Sequence, residues 1–335
     1  MIGIFKQKNP GNTLLLLIYG LVLKIPALIR PSPPLRQAED HYLYNWLLDF
    51  LLPLGIPSFL YASISFLFLL IQAILFNRIC VEQKLLSRPS YLPGMVYILL
   101  TSLFPEWNQF SAPLLMNTLL IWMYYRMTSL SNTDSPNYSV FNVGLLMGVI
   151  TLMYQPAIVF VLLIPFTLFI MRPFRVKEWL ISLLGITTPY YFIAVVLFLT
   201  DKFSWTKLVP AIEFDLPAIP VSIFVTISIA LLVIPFIIGG FFVQDNMSKM
   251  LIQVRKCWSL LLLFLIISLL IIVVNGGDRY VNWVGCVIPL TVFHAAAYFY
   301  PSKKSFPLIL HWIIFGYAIY VNYWLAIPGA SPAFK

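Results

Sequence analysis

Long runs of Leu, Ile, Val and Phe recur along the whole chain, broken at short intervals by polar residues. Crossing the ~30 Å hydrocarbon core of a bilayer takes about 20 apolar residues in a helix. Stretches near that length fall at 12–29, 59–77, 90–104, 112–128, 140–154, 156–171, 179–199, 221–243, 258–275, 281–299 and 306–325. The pattern predicts an all-α, polytopic transmembrane helix bundle of about eleven spans, forming one integral membrane domain over residues 1–335. The third and fifth stretches are short, which leaves ten to twelve spans open. The N-terminal run continues to Ile29 and meets Arg30 without a small-residue cleavage site, so it reads as a retained span.

Composition agrees with that reading. Hydrophobic residues make up 61% of the 335, charged residues 10%, and mean hydropathy is +0.91. A soluble domain carries about 25% charge, so a bilayer is the natural solvent for most of this surface. The net charge of +9 is spread over span ends rather than gathered in a patch, which argues against nucleic acid. Three cysteines, Cys80, Cys257 and Cys286, are too few for a disulfide framework and have no metal-ligand spacing.

Charge then orients the chain. With the N-terminus inside, fourteen Lys and Arg fall in cytoplasmic segments and six on the other side, with Lys24 inside the first span. That bias predicts an N-inside, C-outside arrangement for eleven spans. Eight of the twelve carboxylates fall on the opposite, non-cytoplasmic side, so any chemistry is expected there.

Three loops on that side carry the candidate residues. The first runs from Arg30 through three prolines into Arg36-Gln-Ala-Glu-Asp-His-Tyr, and residues 36–52 are expected to form an amphipathic helix lying in the interface. Glu39 and Asp40 sit near its start, where a helix N-terminus favours negative charge; an ordinary capping pair has the same pattern. The second loop holds Glu106 and Trp107. The third reads Asn275-Gly-Gly-Asp-Arg-Tyr, in which Arg279 offers a planar fork suited to phosphate. Asp278 and Arg279 also suit a plain interfacial turn. The histidines are scattered, and no HExxH, GxSxG, Walker or GxGxxG motif is present.

Together these loops resemble the GT-C superfamily of membrane glycosyltransferases, which includes protein O-mannosyltransferases, aminoarabinose transferases and oligosaccharyltransferases. The resemblance rests on Glu39-Asp40-His41-Tyr42 in the first external loop, on Glu106 between the third and fourth spans, and on Arg279-Tyr280 ahead of the span through Pro289. The chain departs from the pattern in its Glu-Asp order, and no soluble C-terminal domain is expected from these residues. The resemblance implies transfer of a sugar, such as mannose, from a polyprenyl-phosphate donor to a protein or glycan acceptor, in a bacterial inner membrane with the active face non-cytoplasmic. It implies Asp40, Glu39 and Glu106 as catalytic carboxylates and Arg279, Arg36, Lys202 and Lys207 as donor-phosphate ligands. His41, Tyr42, Trp107, Asp278 and Tyr280 would contact substrate, although the aromatics also suit an interfacial belt. No cofactor is firmly implied, and a divalent metal is left open. The rival readings are a transporter or lipid flippase, and a non-catalytic scaffold subunit with a membrane-protein partner.

Overall fold

The computed structural model describes residues 2–7, 9, 11–132, 136–210, 214, 222–274, 279–303 and 305–325. Among them the chain is all-helical, with only two isolated β-bridges, Asp40 to Tyr154 and Phe214 to Val274. In chain order the helices are α1 (Asn12–Ile29), α2 (Tyr42–Leu51), α3 (Ser58–Glu82), α4 (Leu92–Leu100), α5 (Ala112–Ser129), α6 (Pro136–Met153), α7 (Leu163–Met171), α8 (Val176–Leu199), α9 (Ile223–Asn246), α10 (Ile252–Leu270), α11 (Val287–Phe299) and α12 (Ser305–Tyr320). Single turns occur at Ile2–Phe5 and Trp205–Leu208.

Among the described residues, eight helical segments are long and apolar enough to cross a membrane: Asn12–Ile29, Ser58–Glu82, Pro136–Met153, Val176–Leu199, Ile223–Lys249, Ile252–Leu270, Tyr280–Phe299 and Ser305–Trp324. The other three expected spans are helical but differ in kind. Helix α4 has nine residues and so rises only ~14 Å at 1.5 Å per residue. Residues 155–171 divide into a 3₁₀ stretch, Gln155–Leu162, and α7. Helix α5 is long enough, but Asn117, Tyr124, Tyr125 and Arg126 make it a polar interior helix.

Burial explains this division. Every residue of α4 and of α11 is buried, so these two short helices form the centre. The long helices surround them and turn apolar faces outward, as α8 does with Leu184, Phe192, Val196 and Leu199. Lipid is as apolar as those side chains, so association rests on close packing and internal hydrogen bonds. Gly144 of α6 meets Gly185 of α8, and Gly148, four residues on, meets Ile186 and Pro189 of the same helix. A Cβ at any of the three glycines would overlap carbonyl oxygens of the facing helix.

Prolines within the helices show the same economy of polar groups. Pro26 cannot donate to the Val22 carbonyl, and the Tyr323 hydroxyl donates to it instead at 2.8 Å. Pro235 frees the Leu231 carbonyl, which faces His294 Nε2 at 3.3 Å. Pro189 and Pro235 therefore lie inside continuous helices.

Contacts between loops sort them into two ends. At one end Leu35 N–H donates to Phe110 O, Gln155 N–H to Glu39 O, and the Trp107 indole to Tyr280 O. At the other, Tyr91 N–H donates to Phe5 O, the Trp258 indole to Leu85 O, and Arg172 Nη1 to Leu130 O. There Arg172 also pairs with the buried Glu178 at 3.1 Å.

Candidate active site

The first loop does not fold as one helix over 36–52. Residues 31–37 are irregular, 38–39 form a turn, and α2 begins at Tyr42. The cause is a competing pairing. His41 N–H donates to Met153 O at 3.1 Å and Gln155 N–H to Glu39 O at 3.0 Å, so the backbone of 39–41 lies extended against the end of α6. Helix α2 then buries Tyr44 and Leu48 and exposes Trp46 and Phe50, four residues apart on one face. The Tyr44 hydroxyl donates to Leu35 O at 2.8 Å and Asn45 Nδ2 to Asp40 O at 2.8 Å, which locks loop to helix.

This pairing carries Asp40 inward. Asp40 is 3% exposed, and its Oδ2 accepts the Gln37 N–H at 2.7 Å. Its Oδ1 is buried without a partner. Burial raises its pKa to about 7, opposed by the Gln37 hydrogen bond; the Glu39 charge raises it further and Arg36 lowers it. A pKa there populates both the neutral and the ionised carboxyl near neutral pH. Glu39 is half-buried beside it.

Glu106 lies in the 3₁₀ turn Pro105–Asn108, and its Oε2 accepts the Val281 N–H at 3.2 Å. Burial raises its pKa, while the Val281 hydrogen bond and the Arg279 charge lower it. Arg279 is exposed. Tyr280 is buried, stacked on Phe104 at 5.4 Å and edge-on to Trp283 at 5.5 Å. The two carboxylate groups are joined by Gln37, whose Nε2 donates to Asn282 Oδ1 at 3.4 Å. Four segments distant in sequence, 35–41, 104–110, 153–155 and 279–282, therefore meet at one end of the bundle.

Other expected site residues are held elsewhere or otherwise. Arg36 pairs with Asp49 at 3.0 Å and donates to Asn45, so it braces α2. Trp107 is buried against Phe104 with its indole N–H given to Tyr280, and its rings serve packing. His41 is buried, edge-on to Tyr42 at 5.1 Å. Lys202 is exposed just past α8. The Lys207 side chain and all of Asp278 lie outside the described residues. Among the described residues no three His, Cys, Asp or Glu side chains gather as metal ligands. Asp40 and Glu106 line none of the described cavities.

Sequence reading missed Gln37, Tyr154, Gln155 and Asn282. Gln155 and Pro156 interrupt the two apolar runs and are the local signs that the chain turns there. Also missed is the network around Lys24. This lysine, inside α1, donates to Thr101 Oγ1 and Asn108 Oδ1, and Asn108 donates on to Asn322.

Residues 42–327 match a family described as a family of unknown function, DUF6427. The chain belongs to that family. The match takes in Glu106 and Arg279 and starts just after His41, so Glu39 and Asp40 stand immediately ahead of it. No curated protein and no solved structure matches this family member.

Proposed function

We propose that this protein is an integral membrane glycosyltransferase that moves a sugar from a polyprenyl-phosphate carrier to a protein or glycan acceptor at the non-cytoplasmic face. The observation that carries the reading is Asp40, a buried carboxyl with one unpartnered oxygen and a pKa near 7. A general base works best when its pKa lies near the working pH, and an acceptor hydroxyl must lose its proton as the new glycosidic bond forms. Asp40 takes that proton. Arg279, exposed beside Glu106, meets the charge that develops on the departing lipid phosphate. Glu106 orients the 279–282 backbone through Val281. Trp46 and Phe50 of α2 anchor the site at the lipid surface.

The orientation belongs to the same reading. Fourteen Lys and Arg in the segments read as cytoplasmic, against six in the others, support an outer position for the Asp40 end with the N-terminus inside, and a bacterial inner membrane is part of the same proposal. A reporter fused at the C-terminus should read as non-cytoplasmic; a cytoplasmic signal would reverse the assignment. The transferase reading is tested by glycan profiling of cells lacking the chain. Loss of one glycoconjugate, restored by wild type but not by Asp40→Asn, is the expected result, and an unchanged profile would count against it.

One observation favours transport as a second reading. Lys24 is a buried cation within a span, and such residues often mark ion or substrate paths. Its hydrogen bonds to Thr101 and Asn108 also suit a structural strut. Lys24→Met separates the two, because a transporter should lose function there while Asp40→Asn remains active.

A further inference from the structure

The largest of the described cavities lies at the end opposite Asp40. It encloses about 530 Å³ between the loop that follows α3 and the turn joining α9 to α10. Lys84, Arg88 and Lys249 line it and are exposed. No carboxylate lines it, and nearby Glu82 is held by Arg78 at 2.7 Å. Three cations drawn together without an acid concentrate positive potential, and only an anion relieves it.

The loop is built to hold this arrangement. Lys84 has a φ of +53°, the left-handed region that non-glycine residues seldom occupy. The strain is held by Lys84 N–H donating to Val81 O at 3.2 Å and Leu85 N–H to Cys80 O at 3.0 Å. The Trp258 indole fixes the same turn through Leu85 O. The same left-handed cap closes α8 at Asp201, so here it fixes the path of the loop that carries Lys84 and Arg88.

A second observation points to a ligand. Ser90 lines the cavity, is 1% exposed, and its Oγ has no hydrogen-bond partner. Native structures rarely bury a hydroxyl unsatisfied, whereas a ligand oxygen would accept from it. The remaining wall is apolar, with Leu85, Pro93, Met250 and Val254, and opens toward the exposed Leu251. We propose that this cavity binds a phosphate ester, its phosphate held by Lys84, Arg88, Lys249 and Ser90 and its apolar portion lying on that wall. An anionic phospholipid headgroup and a soluble phosphate ester share this chemistry. The site is independent of the Asp40 reading.

The test uses the full chain in nanodiscs. Thermal midpoints are compared in phosphatidylcholine discs, in discs with added phosphatidylglycerol, and in phosphatidylcholine discs with glycerol 3-phosphate in solution. A rise with phosphatidylglycerol alone assigns a lipid; a rise with glycerol 3-phosphate as well assigns the phosphate ester generally. Either rise should need the cavity. The paired substitution Lys84→Ala with Lys249→Ala should weaken binding about tenfold or more, since charge-assisted hydrogen bonds are lost. Arg126→Ala and Arg255→Ala, which remove cations outside the cavity, should leave it unchanged. Ser90→Ala should leave the unliganded midpoint equal or higher, because it removes an unsatisfied hydroxyl, while weakening binding several-fold. Equal midpoints in all three conditions would overturn the proposal, as would equal losses in the cavity and control variants.

Discussion

Gln37 donates its side-chain amide to Asn282 Oδ1 at 3.4 Å, and its backbone N–H to Asp40 Oδ2 at 2.7 Å. One residue thus links the loop that buries Asp40 to the loop that Glu106 fixes through Val281. The side-chain bond is long, so its loss should be modest, about 0.5–1.5 kcal/mol. In the transferase reading, Gln37→Ala and Asn282→Ala should each lower transfer several-fold, and the double variant should be no worse than either. A double-mutant cycle on specific activity measures this; additive losses would mean that the two residues act separately.

The pairing of α6 with α8 gives a prediction about stability. Gly148→Ala places a methyl against the Ile186 carbonyl and the Pro189 ring. Overpacking typically costs about 1–3 kcal/mol, so the purified protein should melt earlier and accumulate less. Gly316→Ala, in a helix with open space around it, should be neutral or slightly stabilising. Equal behaviour of the two variants would deny the close crossing.

Much of this fold was legible in the chain because apolar periodicity reports solvent directly. All eleven apolar stretches are helical, and 12–29 coincides with α1. Periodicity does not report depth within the bundle, so α4 and α11, central and short, read like the lipid-facing spans around them. The site was legible only as separate loops. Glu39-Asp40, Glu106 and Arg279 stand out because charge is scarce, yet nothing local shows that Gln37 reaches Asn282 across 245 positions. The expected helix over 36–52 failed at residues 36–41 for the same reason: a distant partner, Met153 to Gln155, claims that backbone.

The Arg36–Asp49 pair is exposed on both sides. Surface pairs contribute roughly 0–1 kcal/mol, so Asp49→Asn should barely change the amount or thermal midpoint of the protein. If Arg36 braces α2 rather than binding donor, Arg36→Ala should act likewise. A rise in donor KM confined to Arg36→Ala would instead return it to the phosphate-binding set.

The raised pKa of Asp40 sets a sign for stability against pH. An unfolded Asp titrates near 3.8 and the folded one near 7, so between these values the native state holds the extra proton. Stability from this group is full below about pH 4 and is lost as pH rises through 7. Thermal melts from pH 5 to 8 should show that decline in wild type and a flatter profile in Asp40→Asn, which mimics the neutral acid. A decline of equal slope in both proteins would assign the titration to another group.

Asp40 as general base is the central claim, and transfer by Asp40→Asn tests it most directly. The assay supplies a short-chain polyprenyl-phosphate mannose to membranes, with acceptor from cells lacking the chain, and normalises to protein amount. The substitution keeps shape and removes the proton acceptor, so specific activity should fall about 10²–10⁴-fold at unchanged abundance. Wild-type activity in Asp40→Asn, Glu39→Gln and Glu106→Gln alike would contradict both the base assignment and the transferase reading.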